Sequence, residues 1–205
     1  MPYGQLPTFE HDGKITHQSL AICRYAAKQA KLVGSNDWED LEIDAAADTI
    51  NDLRLKIVEY SYEKDPKVKE QRKGPLFKEI LPFYVEKFEK QLKKNNGYFA
   101  IGKLTWADVY FVGLLEFLNY MLGKDLSDGA PGLKGLNEKV RAIPQIKTYL
   151  NKRPKTAGIK LNFKILCFFL LSVHELSWIH TQTNTTHKHD IIAKIVKTDS
   201  GDPKT

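Results

Sequence analysis

The residues best suited to holding a ligand lie in two short segments near the N-terminus, Gln5-Leu6-Pro7 and Gln18-Ser19. A helix that begins at Ser19 presents unpaired N–H groups and the positive end of its dipole, and the serine hydroxyl adds a donor. This combination suits a carboxylate, although Ser19 could also serve only to cap its own helix. A cis bond before Pro7 would turn the Leu6 N–H and C=O outward for an extended peptide, but only about 5 to 6% of X-Pro bonds are cis.

The cysteines and histidines form no catalytic or metal-binding pattern. Cys23 and Cys167 fit neither a disulfide framework nor a CxxC spacing, which favours a reducing compartment with cytosol as the default. Cys23 falls inside a helix and is expected to be a small packed residue rather than a nucleophile. The close pair His187 and His189 lacks acidic or cysteine companions at ligand spacing, so we expect no metal and no resident cofactor.

A hairpin and a helix position the two ligand-binding segments. Leu6–Glu10 and Lys14–His17 are two short strands, and the Asp12-Gly13 dipeptide between them tolerates the positive φ angles of a type I′ turn. The helix predicted over residues 19–31 then packs on these strands. Residues 32–36 read as a linker, in which Ser35 or Asn36 can cap the helix that follows.

Apolar periodicity predicts helices in the rest of the chain up to about residue 150. An apolar stripe predicts one long amphipathic helix, which the charged residues 64–73 are expected to break. A second stripe follows, with a bend expected at Pro82 and an end at residues 95–97. Residues 132–141 and 144–150 read as two short helices. The members of the two stripes are Ile43, Ala46, Ala47, Ile50, Leu53, Ile57 and then Phe77, Ile80, Leu81, Tyr84, Phe88, Leu92.

The start of another helix is marked with unusual clarity by Thr105 and Asp108. The Thr105 hydroxyl can accept a hydrogen bond from the Asp108 N–H, while the Asp108 carboxylate can reach back to the Thr105 N–H. Leu104 and Val109 occupy the positions of a hydrophobic staple. This capping box is expected to serve folding.

Composition and charge exclude several classes of protein. The chain has 205 residues, 42% of them apolar and 27% charged, with a formal net charge of +6. Its basic residues are interleaved with acidic ones along helices, which indicates a solvated surface rather than a nucleic-acid interface. The most apolar run, residues 165–173, is far shorter than the roughly 20 residues that span a membrane. No signal peptide is visible at the start of the sequence.

Several separated motifs carry a resemblance to a known family. They are GQLP (4–7), HQS-x-A-x-CRY (17–25), DLEID-x3-DTINDLRLKI (40–57), LPFYVEKFE (81–89) and GKLTWADVYF (102–111). In these segments the chain resembles glutathione transferases, and within them the sigma class of insects. The resemblance runs from Pro2 to about Thr156.

The resemblance implies an α+β fold. Residues 1–33 would form a partial thioredoxin-like domain, a β-hairpin plus a helix, that binds glutathione. Residues 34–156 would form the all-helical transferase domain. Residues 157–205 match neither part and are expected to be an unrelated, poorly ordered extension, or else a tail along the apolar surface of the helical domain.

The resemblance also implies the role of each site residue. Leu6 and Pro7 would pair with the cysteinyl backbone of glutathione, and Gln5 would lie beside its glycyl end. Gln18 and Ser19 would hold the glutamyl carboxylate. Asp52 of a partner subunit would face the glutamyl amine, which makes the site a property of a homodimer.

Two neighbours of Asp52 are assigned less specific roles. Asp48 could reinforce Asp52 or orient the helix. Arg54 could pair with nearby acids.

Departures from the family leave the activity of this chain open. Family members place a βαβ segment with a thiol-activating Tyr ahead of the first hairpin strand, and Tyr3 does not match that residue, so we assign no catalytic residue. The main expectation is conjugation of reduced glutathione to electrophiles, a detoxification function, impaired here by the absent Tyr. The alternatives are a non-catalytic carrier of glutathione and apolar ligands, a crystallin-like structural protein, or a prostaglandin isomerase.

Overall fold

The computed structural model describes Tyr3 and residues 7–152. The expectations for Gln5 and Leu6, and for the extension over residues 157–205, therefore lie outside the described residues. Within the described part, a two-stranded sheet precedes a helical domain, as the sequence predicts.

The hairpin consists of β1 (Thr8–His11) and β2 (Lys14–His17), paired antiparallel so that Thr8 lies opposite His17. The turn residues Asp12 and Gly13 both have positive φ, 51° and 75°. These angles are those of a type I′ turn, whose twist matches that of the strands it joins. The predicted turn is confirmed.

Helix α1 (Ser19–Gln29) packs its apolar face, which includes Ile22 and Cys23, against the hairpin and the helical domain. Arg24 on the same helix lies 2.8 Å from the Asp44 carboxylate through Nε and 3.5 Å from Asp48 through Nη2. Its Nε–H is not aimed well enough for a hydrogen bond, so the contact with Asp44 is an ion pair only. The guanidinium also lies 5.4 Å from the centre of the Trp106 ring. Arg24 thus holds α1 against two helices of the second domain.

Helix α2 (Asp37–Ser61) begins at Asn36, whose side-chain oxygen accepts hydrogen bonds from the N–H groups of Trp38 and Glu39, both at 3.0 Å. Asn36, one of the two predicted candidates, is therefore the cap. All six residues of the first predicted stripe, Ile43 to Ile57, are buried in the core.

Helix α2 ends at Ser61, so the predicted break is confirmed, but the charged run that follows is itself helical. Helix α3 (Pro66–Pro75) begins where the Asp65 carboxylate accepts a hydrogen bond from the Lys67 N–H at 2.8 Å, with Pro66 in the first turn. An exposed helix tolerates charge all round, and a proline at this position fits the missing N–H of the first turn. A π-helical segment (Leu76–Ile80) joins it to α4 (Leu81–Lys94), so the irregularity lies ahead of Pro82.

Helix α5 (Trp106–Leu122) is the centre of the core and is buried on nearly every side. The rings of Phe88, Phe99 and Phe111 meet beside it, with centroids 5.2 Å apart for the two pairs that involve Phe99. A helix that is apolar all round requires neighbours all round. Helices α2 and α6 (Pro131–Ala142) supply two of them, and α7 (Pro144–Lys152) packs on α6. No helix in residues 7–152 is long and apolar enough to cross a membrane.

The N-terminus of α5 is held by the Asp108 carboxylate, which is fully buried. Its Oδ1 accepts a hydrogen bond from the Phe99 N–H at 2.7 Å, and its Oδ2 accepts from the Thr105 N–H at 2.7 Å and the Thr105 hydroxyl at 3.0 Å. Thr105 and Asp108 are placed as a reciprocal capping box. The hydrogen bonds of good geometry, however, are accepted by the Asp108 carboxylate and not by the Thr105 hydroxyl. Asp108 therefore supplies most of the cap.

A second tertiary cap starts α6. The Glu89 carboxylate, on α4, accepts hydrogen bonds from the N–H groups of Gly132 and Leu133 at 2.9 and 2.7 Å. A Cβ atom at Gly132 would lie 2.9 Å from both oxygens of Glu89, so a larger residue there would require the carboxylate to shift. The cap therefore joins two helices that are far apart in sequence.

Replacement of Asp108 tests how much the cap contributes. Asp108→Ala leaves the buried N–H groups of Phe99 and Thr105 without an acceptor, and each unsatisfied donor costs about 1 to 3 kcal/mol. We expect the free energy of unfolding at neutral pH, measured by guanidinium denaturation, to fall by at least about 2 kcal/mol. Asp128→Ala, which removes an exposed carboxylate from the same chain, is the control and should change it by less than about 0.5 kcal/mol. Equal effects of the two substitutions would contradict the assignment.

The pH dependence of stability reports the burial of the same carboxyl. Burial raises the pKa of Asp108 from 3.8 to about 6, against the lowering effect of its hydrogen bonds. The unfolded chain therefore binds fewer protons at this residue between those two values, and the Asp108 contribution to stability falls as pH rises from 3.8 to about 6.

As pH rises from 3.8 to about 6, the free energy of unfolding of the wild type should fall by about 3 kcal/mol at most, relative to that of Asp108→Ala. Denaturant unfolding of both proteins at a series of pH values measures the difference. A difference that grows as pH rises would show that the hydrogen bonds, not burial, control the pKa.

Candidate functional site

The N-terminus of α1 is exposed and uncapped by any side chain. Gln18 is the N-cap residue, Ser19 is the first helical residue, and the Ile22 N–H donates to the Gln18 carbonyl at 3.0 Å. The expectation that Ser19 caps its own helix is therefore wrong, because the residue lies one position too late. The N–H groups of the first turn keep the positive end of the helix dipole, and no acidic residue in that turn offsets it.

Gln18 has an unusual backbone conformation. Its φ is 74° and its ψ is 109°, which is outside the regions that residues with a Cβ normally occupy. Such conformations cost about 1 to 3 kcal/mol and concentrate at binding sites and active sites. The conformation places the exposed Gln18 side chain at the point where the chain leaves β2 and enters α1.

The pairing of the hairpin brings Pro7 next to Gln18. Thr8 lies directly opposite His17, so Pro7 and Gln18 are each one residue beyond the same pair, at the same end of the sheet. Pro7 is half-buried, and so is Ser19, which follows Gln18 in the chain. The described members of the two predicted ligand segments therefore share one edge of the small domain.

Asp52 lies elsewhere, on the exposed face of α2. No hydrogen bond or ion pair within the described residues links it to Pro7, Gln18 or Ser19. Burial, and secondarily the charge of Asp52, raise the pKa of Tyr84 on α4, which places that ring near the carboxylate. Within a single protomer the structure does not join Asp52 to the edge that carries Gln18.

Asp48 contacts α1 rather than the proposed ligand site. It pairs with Arg24 at 3.5 Å, so it contributes to the contact between α1 and α2. This assigns it to orienting the helices, the second of the two roles considered for it.

A polar cluster that the sequence does not reveal joins α2 to α5. The Asn51 Oδ1 atom accepts hydrogen bonds from Arg54 Nε at 2.8 Å and from the Tyr110 hydroxyl at 3.1 Å. Burial raises the pKa of Tyr110, so this hydroxyl remains a donor at physiological pH. The expectation that Arg54 pairs with neighbouring acids is wrong, because its partner is an amide three residues earlier on the same face of the helix. That spacing could have signalled the Asn51 contact, but the Tyr110 contact spans 59 positions and has no local signature.

A cavity of about 380 Å³ lies between the hairpin and α1, lined in part by Phe9, Ile22 and Tyr25, but it includes none of Pro7, Gln18 and Ser19. Cys23 is fully buried in α1, as expected. In residues 7–152, no group of three or more His, Cys, Asp or Glu side chains is arranged to hold a metal ion, and the C-terminal histidines lie beyond this range.

Models of known families match both parts of the chain. Residues 1–28 match the N-terminal domain of glutathione S-transferases, and residues 51–153 match their C-terminal domain.

Individual relatives agree with this assignment. The chain is 49% identical to glutathione S-transferase S1 of Drosophila melanogaster over 156 residues, which are 76% of this chain but only 63% of that protein. It is 47% identical to a glutathione S-transferase of Anopheles gambiae, over 76% of this chain and 77% of the relative.

Solved structures carry the same fold. The structure of prostaglandin synthase D of Nilaparvata lugens superimposes with a TM-score of 0.72 at 46% identity, over 76% of this chain and 77% of that one. The small sheet with its helix and the all-helical domain are therefore those of this fold. On the matched domains and these identities, the chain belongs to the glutathione S-transferase family.

Proposed function

We propose that this chain is a sigma-class glutathione transferase that binds reduced glutathione at the N-terminus of α1 and transfers it to electrophiles. The observation that carries the proposal is the uncapped start of α1 next to the strained Gln18. Holding Gln18 in that conformation costs free energy, and the N–H groups next to it have no side-chain cap. Both features are expected where an anionic ligand completes the site. The proposed setting is cytosolic, within detoxification and glutathione metabolism.

Each site residue has a proposed partner on the tripeptide. The Ser19 hydroxyl and the N–H groups of the first turn bind the glutamyl carboxylate, with Gln18 beside them. Leu6 and Pro7 pair with the cysteinyl backbone at the adjacent strand end, and Gln5 contacts the glycyl end. Hydrogen-bond donors therefore bind the two carboxylates of glutathione, and the carboxylate of Asp52 binds its amine.

Asp52 reaches the ligand only from a second subunit in this proposal. The exposed positions 38, 41, 45, 48, 52, 55 and 59 of α2 recur at alternating intervals of three and four, the spacing of a seam between paired helices. Large apolar side chains, including Trp38, Leu41 and Leu55, are exposed along this stripe. A homodimer that buries the stripe brings Asp52 toward the partner's glutathione.

Conjugation of glutathione requires one further group that binding does not, a donor to its sulfur. A thiol with a pKa near 8.5 is mostly protonated at neutral pH, so conjugation needs a donor that stabilises the thiolate. The contacts proposed for Gln18, Ser19 and Asp52 supply binding, and the proposal assigns no residue to this donor. A carrier of glutathione and apolar ligands, or a crystallin-like structural protein, needs only the binding groups and the helical domain.

Prostaglandin isomerisation is the second candidate reaction. The observation that favours it is the 46% identity to the Nilaparvata lugens protein that is named prostaglandin synthase D. Isomerisation also uses a bound thiol, so the two reactions share the proposed glutathione site. Assays with a chloronitrobenzene electrophile and with a prostaglandin endoperoxide separate them.

Calorimetric titration with reduced glutathione tests the proposal. Ser19→Ala and Asp52→Asn each remove one charge-assisted contact, so each should weaken binding about tenfold or more. Ser35→Ala and Asp128→Asn remove the same groups from other exposed positions and should leave the affinity unchanged.

The two site variants also separate the parts of the proposal. Loss of affinity in Ser19→Ala alone would support the α1 site but reject the contribution of Asp52 from a partner. Wild-type protein that binds no glutathione, at concentrations where it is folded and dimeric, would reject the function.

A further inference from the structure

Helix α3 contributes no buried side chain to the hydrophobic core. In residues 66–75 no residue is buried, and the half-buried Val68 is not among the apolar residues that pack against the core. Core contact resumes at Leu76, which is 2% exposed, and at Phe77, whose ring meets that of Tyr60 edge-on with centroids 5.6 Å apart. Burial of apolar surface is the main source of stability in a folded chain. Helix α3 is therefore held in place by contacts of another kind.

Two cations of α3 supply those contacts, and both reach the C-terminal end of α2. The Lys69 ammonium donates to the Ser61 carbonyl at 2.9 Å, and Arg72 Nη1 donates to the Glu59 carbonyl at 3.0 Å. The last turn of α2, residues 58–61, carries no basic side chain of its own. The final carbonyls of a helix lack partners within it and form the negative end of its dipole. Helix α3 thus caps α2 from outside.

Ion pairs add to this cap. The Arg72 guanidinium lies 3.4 Å from the Glu59 carboxylate and 3.2 Å from the Glu63 carboxylate, and the Lys69 ammonium lies 5.4 Å from the centre of the Tyr60 ring. The Arg72 side chain is 37% exposed, so salt in the solvent screens its ion pairs. The attachment of α3 to α2 is therefore mainly electrostatic, in contrast to the apolar packing that holds α5.

We propose that α3 is an electrostatic latch, which opens as a unit and without loss of the core when the contacts of Lys69 and Arg72 are screened or removed. The segment that opens runs from Tyr62, where α2 ends, to Pro75, ahead of the π-helical segment. Regions with few buried apolar contacts open at a lower free energy than the core does. Because Glu59 also belongs to the exposed stripe of α2, the latch determines whether that carboxylate is paired at one end of the surface proposed for the homodimer.

Amide hydrogen exchange of the full 205-residue chain, measured by mass spectrometry, compares α3 with the core. Raising the concentration of sodium chloride from about 0.01 M to about 1 M shortens the screening length from about 30 Å to about 3 Å. We expect exchange in residues 66–73 to become about fivefold faster, while exchange in α5 does not rise. Exchange in α3 that does not respond to salt would overturn the proposal, as would an equal rise in α3 and α5. The wild type alone provides this comparison.

Substitutions of Arg72 test the latch without a change of salt. Arg72→Gln removes the cation that contacts both Glu59 and Glu63, so exchange in residues 66–73 should become about tenfold faster at low salt. Arg72→Lys retains the charge without the planar fork and should keep part of the protection.

Arg141→Gln is the matched control, because Arg141 pairs with Glu116 at 3.0 Å, away from α3. It should leave exchange in α3 unchanged. Equal exchange in α3 for Arg72→Gln and the wild type would overturn the proposal, and so would an acceleration that Arg141→Gln reproduces.

Discussion

Burial of the Asp108 carboxylate at the start of α5 is the constraint on which the rest of the structure depends. Helix α5 is apolar on nearly every side, so its first N–H groups enter a region without solvent. A single carboxylate satisfies the Thr105 N–H at the helix start and the Phe99 N–H of the preceding loop. The same turn also sets the position of Trp106, whose N–H donates to the Leu32 carbonyl at 3.0 Å. The cap therefore fixes both the central helix and the linker from the small domain.

Together, that linker contact and Arg24 fix the position of α1, and of the edge proposed to bind glutathione, relative to the core. Arg24 contacts Asp44 and Asp48 on α2 and the ring of Trp106 on α5. Pairs exposed by about a third contribute modestly to stability, but several acting on one short helix restrict its orientation. Because α1 is held in this way, the strained Gln18 at its start keeps a defined position against the helical domain.

Local patterns predicted most of the elements, and contacts between distant residues account for the failures. The Asp12-Gly13 turn, the Asn36 cap and the stripe from Ile43 to Ile57 depend on nearest neighbours and periodicity, and all are confirmed. The charges of residues 64–73 predict only a break after the long helix, whereas a capped helix forms over residues 66–75. The Glu89 cap of α6 and the contact of Tyr110 with Asn51 join residues 43 and 59 positions apart, so no local rule could have indicated them.

Helix α2 divides its surface among three tasks, and this division explains how one element serves both the core and the proposed site. Its buried stripe contacts α5, its outward stripe carries Asp52, and the edge between them carries Asn51 and Arg54. Because 3.6 residues make one turn, Asn51 and Asp52 point about 100° apart although they are adjacent in sequence. The carboxylate proposed to meet the partner's glutathione and the polar cluster that joins α2 to α5 are therefore directed to different sides of the helix. A change at Asp52 can leave the Asn51 contacts intact, so affinity for the tripeptide is free to vary without loss of the packing between α2 and α5.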